Sequence, residues 1–157
     1  MTRRLWTASG TVLQVPADYD GDGKADVAVW RPSDGNWFIQ NSYTLSNTVR
    51  QWGLSGDKPV PADYDGDGKT DIAVWRPSEG IWYIIKSSDG TGIGAQWGFS
   101  TDVPVPADYD GDGKTDIAVW RPSEGVWYIL RSSDGSLSAQ TFGLNGDVPV
   151  PSTYNPN

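Results

Sequence analysis

The chain has 157 residues, with 12 Lys plus Arg against 20 Asp plus Glu, a formal net charge of −8, no His and no Cys. The two absences exclude disulfides, zinc–thiolate sites and cysteine nucleophiles, and remove the commonest general base and transition-metal ligand. The 19 Gly and 11 Pro favour many turns over long helices, and no apolar run reaches the roughly 18 residues that a membrane helix needs.

The acidity is concentrated. Twelve of the 20 acids are Asp18, Asp20, Asp22 and Asp26, Asp63, Asp65, Asp67 and Asp71, and Asp108, Asp110, Asp112 and Asp116. Each cluster packs four carboxylates into nine residues, a density that repels itself unless a cation sits within it. The 45-residue spacing of Asp18, Asp63 and Asp108 divides the chain into repeats 16–60, 61–105 and 106–150. Residues 61–80 are identical to 106–125. Residues 1–157 therefore read as a single repeat domain with partial repeats at 1–15 and 151–157. Val15-Pro16-Ala17-Asp18 matches Val60-Pro61-Ala62-Asp63, and Thr153, Asn155 and Asn157 stand where three loop aspartates would be. The Met-Thr-Arg-Arg start has no apolar core of the secretory kind, so no signal peptide is expected there.

The third repeat shows the element order of all three. A strand over 103–109 leads into the acidic loop. A second strand, Asp116–Arg121, reads Asp-Ile-Ala-Val-Trp-Arg and is apolar on both faces, as a strand buried on both sides would be. Arg-Pro-Ser-Glu-Gly at 121–125 is a turn, 126–131 a third strand, Ser-Ser-Asp-Gly at 132–135 a hairpin turn and 137–142 a fourth strand. Four short strands per unit predict an all-β fold of propeller blades.

The loop chemistry suits calcium. Asp at positions 1, 3, 5 and 9, a Gly at 6 for the sharp turn and a backbone carbonyl at 7 (Lys24, Lys69, Lys114) supply hard oxygen donors. Three Ca2+ sites are expected, one per loop. They are not EF-hands, because position 12, where a bidentate Glu would stand, is Val29, Val74 or Val119. The competing readings are a solvated acidic turn and a catalytic carboxylate pair. Three complete copies argue against the first, and three identical clusters of four Asp are poorly suited to acid–base work, so no enzyme is expected.

The tryptophans recur as Trp30, Trp75 and Trp120, as Trp37, Trp82 and Trp127, and as Trp52 and Trp97 with Phe142. Packing between blades ranks first for them. Stacking on sugars is the alternative, with Trp37, Trp82 and Trp127 the candidate platforms. Arg31, Arg76 and Arg121 each follow a Trp and are expected to pair with a carboxylate before stacking on the ring, while Asp34, Glu79 and Glu124 read as solvated turn charges. No basic stripe is present, so no nucleic-acid partner is expected.

The run Asp-Tyr-Asp-Gly-Asp-Gly-Lys-Thr-Asp followed by Ile-Ala-Val-Trp-Arg-Pro-Ser resembles the FG-GAP/VCBS repeats, calcium-binding units of bacterial surface and secreted proteins related to the integrin α-subunit propeller. Phe142-Gly143 and the Trp-Gly pairs at 52–53 and 97–98 match the Phe-Gly half of the name, while Asp-Lys-Pro or Asp-Val-Pro replaces Gly-Ala-Pro. The resemblance implies a propeller with a calcium loop between the first two strands of each blade, an extracellular or cell-surface location, and adhesion or ligand binding, with glycans and cell-surface proteins the candidate ligands. The alternative is a purely structural or engineered self-assembling fragment whose only ligand is calcium. Propellers have roughly four to eight blades, so three blades predict a closed homo-oligomer, most simply a dimer. A β-trefoil, which closes with three repeats, is the rival fold.

Overall fold

The computed structural model describes residues 11–150. Strands β1 (Leu13–Gln14), β2 (Val27–Arg31), β3 (Asn36–Gln40) and β4 (Asn47–Gln51) form the opening sheet. Strands β5 (Lys58–Pro59), β6 (Ile72–Arg76), β7 (Ile81–Ile85) and β8 (Gly92–Gln96) form the middle one, and β9 (Val103–Pro104), β10 (Ile117–Arg121), β11 (Val126–Leu130) and β12 (Leu137–Thr141) the closing one. Every pairing is antiparallel and follows chain order. The strands make three propeller-type blades that do not close a ring. Among the described residues no strand of one blade pairs with a strand of another, as a barrel shared between the three units would require, so the β-trefoil alternative does not form; each later blade takes its first strand from the end of the preceding sequence repeat, Lys58–Pro59 pairing with Ile72–Arg76 and Val103–Pro104 with Ile117–Arg121.

The first strand of each unit is shorter than its apolar pattern predicts. Prolines at 59 and 61, and at 104 and 106, remove ladder donors. Pairing continues as isolated contacts: Val60 and Val105 donate to the carbonyls of Ala73 and Ala118, and Ala62 and Ala107 face Asp71 and Asp116.

Each blade is built around a cross-strand tryptophan pair. Trp30 lies opposite Trp37, Trp75 opposite Trp82 and Trp120 opposite Trp127, with ring centroids 6.3 Å apart in all three. The indole N–H groups of Trp30 and Trp37 both donate to the Trp52 carbonyl, and those of Trp75 and Trp82 to the Trp97 carbonyl. Trp37 and Trp82 are 0% exposed, so neither has a face left for a sugar, and stacking fails there because the rings fill the blade core. Trp127, in the closing blade, is half-buried and donates to the Phe142 carbonyl.

Neighbouring blades share their cores. Val74, Ile72 and Tyr83 pack on Trp30, Trp37 and Trp52, and Val119, Ile117 and Tyr128 on Trp75, Trp82 and Trp97. Approach is close: a Cβ on Gly53 would meet Val74 at 3.0 Å, and one on Gly98 would meet Val119 at 2.8 Å. Trp52 and Trp97 reach across to the Tyr83 and Tyr128 carbonyls at 3.0 Å. In a four-stranded meander the β1–β2 loop and the β3–β4 turn lie at one end of the blade. The β2–β3 turn and the link to the next blade lie at the other.

Candidate metal centre

The acidic loops are folded by their own carboxylates. In the first, Asp18 Oδ1 accepts the N–H of Gly21 at 2.7 Å and of Asp22 at 3.1 Å, while Oδ2 accepts Gly23 N–H at 2.8 Å. Asp20 accepts Asp22 N–H, and Asp22 accepts Lys24 N–H. Gly21 and Gly23 have φ of +82° and +86°, the left-handed region that a side chain resists, and that curl aims successive amides at Asp18. Asp63 and Asp108 hold their loops through the same set of bonds.

The ninth-position aspartates close the loops from beneath. Asp26, Asp71 and Asp116 are buried; each accepts the N–H of the loop tyrosine (Tyr19, Tyr64, Tyr109) and of a serine in the β3–β4 turn (Ser42, Ser87, Ser132). The tyrosines point inward and donate to the carbonyls of Val15, Val60 and Val105. Burial first, then the adjacent aspartate, raises each phenol above its ordinary range.

Carboxylate oxygens of Asp18, Asp20 and Asp22, of Asp63, Asp65 and Asp71, and of Asp108, Asp110 and Asp116 lie within 4.8 Å of one another. Each trio contains three of the four aspartates predicted from sequence; the fourth is Asp26, Asp67 or Asp112. Asp67 and Asp112 accept bonds from Ser87 and Ser132 Oγ. At Lys24, Lys69 and Lys114 the observed contact is the N–H donated to the fifth-position aspartate, and no contact marks their carbonyls as ligands. Lost hydration, ahead of the neighbouring carboxylates, raises the pKa of Asp63 and Asp71. An all-oxygen, all-carboxylate donor set fits a hard divalent cation better than a softer metal.

Two parts of the site escaped the sequence reading. The Ser-Ser turn covers the loop: Ser88 Oγ donates to Asp65 at 2.7 Å and Ser133 Oγ to Asp110 at 2.7 Å. Neighbouring loops are also tied together, with Thr70 N–H donating to the Asp18 carbonyl at 2.8 Å and Thr115 N–H to that of Asp63 at 2.9 Å. The only signal for either was the recurrence of these residues at one-repeat intervals.

The opposite end carries ion pairs. Arg76 holds Asp57 through Nε at 2.8 Å and Nη2 at 3.0 Å, and Arg121 holds Asp102 at the same distances. Asp57 and Asp102, overlooked in the sequence, are buried. Arg31, Arg76 and Arg121 also bond Asp34, Glu79 and Glu124, so these turn acids are paired. The guanidinium groups lie over Phe38, Tyr83 and Tyr128 and not over the preceding tryptophans.

Three antiparallel four-stranded blades, each opening its second strand from an aspartate-glycine loop, define a propeller-type repeat protein with one candidate cation loop per blade. A model of the FG-GAP-like repeat matches residues 18–74 and again 63–119, each match running from one acidic loop into the second strand of the next blade. The chain belongs to the FG-GAP-like repeat family. No curated protein matches it.

Proposed function

We propose that the chain is a calcium-stabilised binding module of an extracellular or cell-surface protein, acting in adhesion or ligand capture and not in catalysis. The observation that carries the calcium reading is the threefold convergence of loop carboxylates to within 4.8 Å on a backbone that already holds the turn. Asp18, Asp20, Asp22 and Asp26 and their equivalents are the proposed ligands, with the Lys24, Lys69 and Lys114 carbonyls completing each shell. A bound divalent cation supplies the charge that offsets the repulsion among them. Glycans and cell-surface proteins are the ligand classes this reading favours, by analogy with the family and not from any exposed tryptophan platform.

Calorimetric titration tests it: three calcium ions per chain are expected, falling to two in Asp112→Ala. At calcium ten times Kd, each site adds about 1.4 kcal/mol of stability, so three sites add about 4, and excess chelator should lower Tm by several degrees. An unchanged Tm in chelator overturns the calcium reading. A glycan array read with calcium and with chelator tests the ligand class separately.

A further inference from the structure

The junction between the middle and closing blades holds a groove of about 660 Å³, within the roughly 300–1,000 Å³ of small-molecule sites. It runs from the β6–β7 turn and the inter-blade link, at the end of the blades away from the acidic loops, to Leu137 at the start of β12. The middle blade supplies Ser78, Glu79 and Gln96, the link Phe99 and Ser100, and the closing blade Arg121 beside Leu137. The first junction is built differently at these positions. Leu54 stands in place of Phe99 and Gly92 in place of Leu137, whereas Phe99 and Leu137 are 65% and 61% exposed. Gln51 folds back there, its Nε2 donating to the Asp34 carbonyl at 3.1 Å. Gln96, one repeat on, is exposed, and its amide makes no hydrogen bond among the described residues.

The positive charge of the groove is already spent. Arg121, the one cation of its lining, gives Nε and Nη2 to Asp102 and Nη1 to Glu124. Its guanidinium is held between two rings, 4.1 Å over Phe99 and 4.5 Å over Tyr128. An anion therefore finds no unpaired partner and meets Glu79, whose side chain is 44% exposed. The groups left to a ligand are the Gln96 amide, the exposed Ser78 and Ser100 hydroxyls and the Glu79 carboxylate, of which Oε1 already accepts Arg76 Nη1 at 3.0 Å. Uncharged donors and acceptors beside exposed apolar surface suit a ring that carries hydroxyls around its edge and C–H bonds on its face.

We propose, on the ligand-capture reading above, that this groove is a sugar site taking one neutral pyranose, its C–H face against Phe99 and Leu137 and its hydroxyls on Gln96, Ser78, Ser100 and Glu79. A sugar fits because the apolar strip and the uncharged polar groups lie in one groove, and because Glu79 disfavours an acidic ligand by like-charge repulsion. The site is specific to the second junction, since the first lacks both apolar side chains and has its glutamine turned onto the backbone. It needs no calcium in the groove.

Nuclear magnetic resonance titration of the full chain tests it, with the methyl glycosides of glucose, galactose, mannose and N-acetylglucosamine at millimolar concentration as probes. With at least one of them, shifts are expected at the Gln96 side-chain amide, the Trp97 indole N–H and the Phe99 and Leu137 amides. Methyl glucuronide, which adds a carboxylate, should leave these signals unmoved. Gln96→Ala should raise the Kd roughly five- to ten-fold. Phe99→Leu and Leu137→Gly install the residues that the first junction already folds with, and should each weaken binding without loss of fold. Binding unchanged in all three variants overturns the site, as do shifts confined to other parts of the chain; both leave the glycan reading standing. Equal binding of the glucuronide overturns the neutral class. No shift with any of the four sugars overturns the groove as a sugar site, and the glycan array then decides the wider reading by itself.

Discussion

The middle blade and the outer two are built from nearly the same residues, yet they are differently enclosed. Val74 is fully buried because the opening blade covers it; Val29, at the same position one repeat earlier, is half-buried. Arg76 grips a buried aspartate across a junction, whereas the position one repeat before Asp57 is Val12. The loops differ in the same way. Asp18–Lys24 and Asp63–Lys69 are the same seven residues, but Ser88 caps Asp65 while its counterpart in the opening blade is Tyr43, 81% exposed. The pKa values follow. For Asp65, desolvation pushes upward but the Ser88 hydroxyl and nearby N–H groups outweigh it and hold the group below its ordinary value; for Asp110 the Ser133 hydroxyl is the main cause of lowering. Asp20, without that hydroxyl, is raised, chiefly by lost hydration. In a repeat array the energetic value of a residue is set by the neighbouring unit as much as by its own.

The largest expected difference lies in the tryptophans. Trp82→Ala should cost about 3–5 kcal/mol, the range for a fully buried aromatic, while Trp127→Ala, half-buried in the closing blade, should cost about half as much. Denaturant unfolding of the two variants, compared with wild type, measures both. Equal losses would mean that the closing blade is as enclosed as the middle one.

Next come the arginines. Arg76→Leu strands the buried Asp57 carboxylate and should cost about 2–3 kcal/mol, below the roughly 3–5 of a fully buried pair because Arg76 keeps part of its surface in water. Asp34→Ala removes only the half-exposed partner of the Arg31–Asp34 pair and should cost about 1 kcal/mol or less. Thermal melts of the two variants, compared with wild type, check the gap.

The smallest effect is at the lids. Ser88→Ala should weaken the calcium site proposed at the second loop by about 1 kcal/mol, roughly five-fold in Kd, and Tyr43→Ser should strengthen the one proposed at the first by a similar factor. Chelator-competition titrations resolve shifts of this size. A Kd unmoved by both substitutions would show that the serine hydroxyls do not shape the sites.

Sequence alone determined the repeat, the second, third and fourth strands of each blade and the glycine-bent acidic loops, because each depends on residues close together in the chain: alternation along a strand, a turn of a few residues, carboxylates within one loop. It left the role of the tryptophans between packing and stacking, since an indole looks the same in either, and only burial of Trp37 and Trp82 decided it. It also passed over Asp57 and Asp102, whose arginines lie 19 residues downstream in the next blade, and Ser87 and Ser88, which reach loop aspartates 16 to 23 residues before them. Those contacts exist because an up-and-down meander returns alternate turns to the same end of the sheet and sets each blade against the next. That juxtaposition belongs to the tertiary structure, and no local pattern of residues records it.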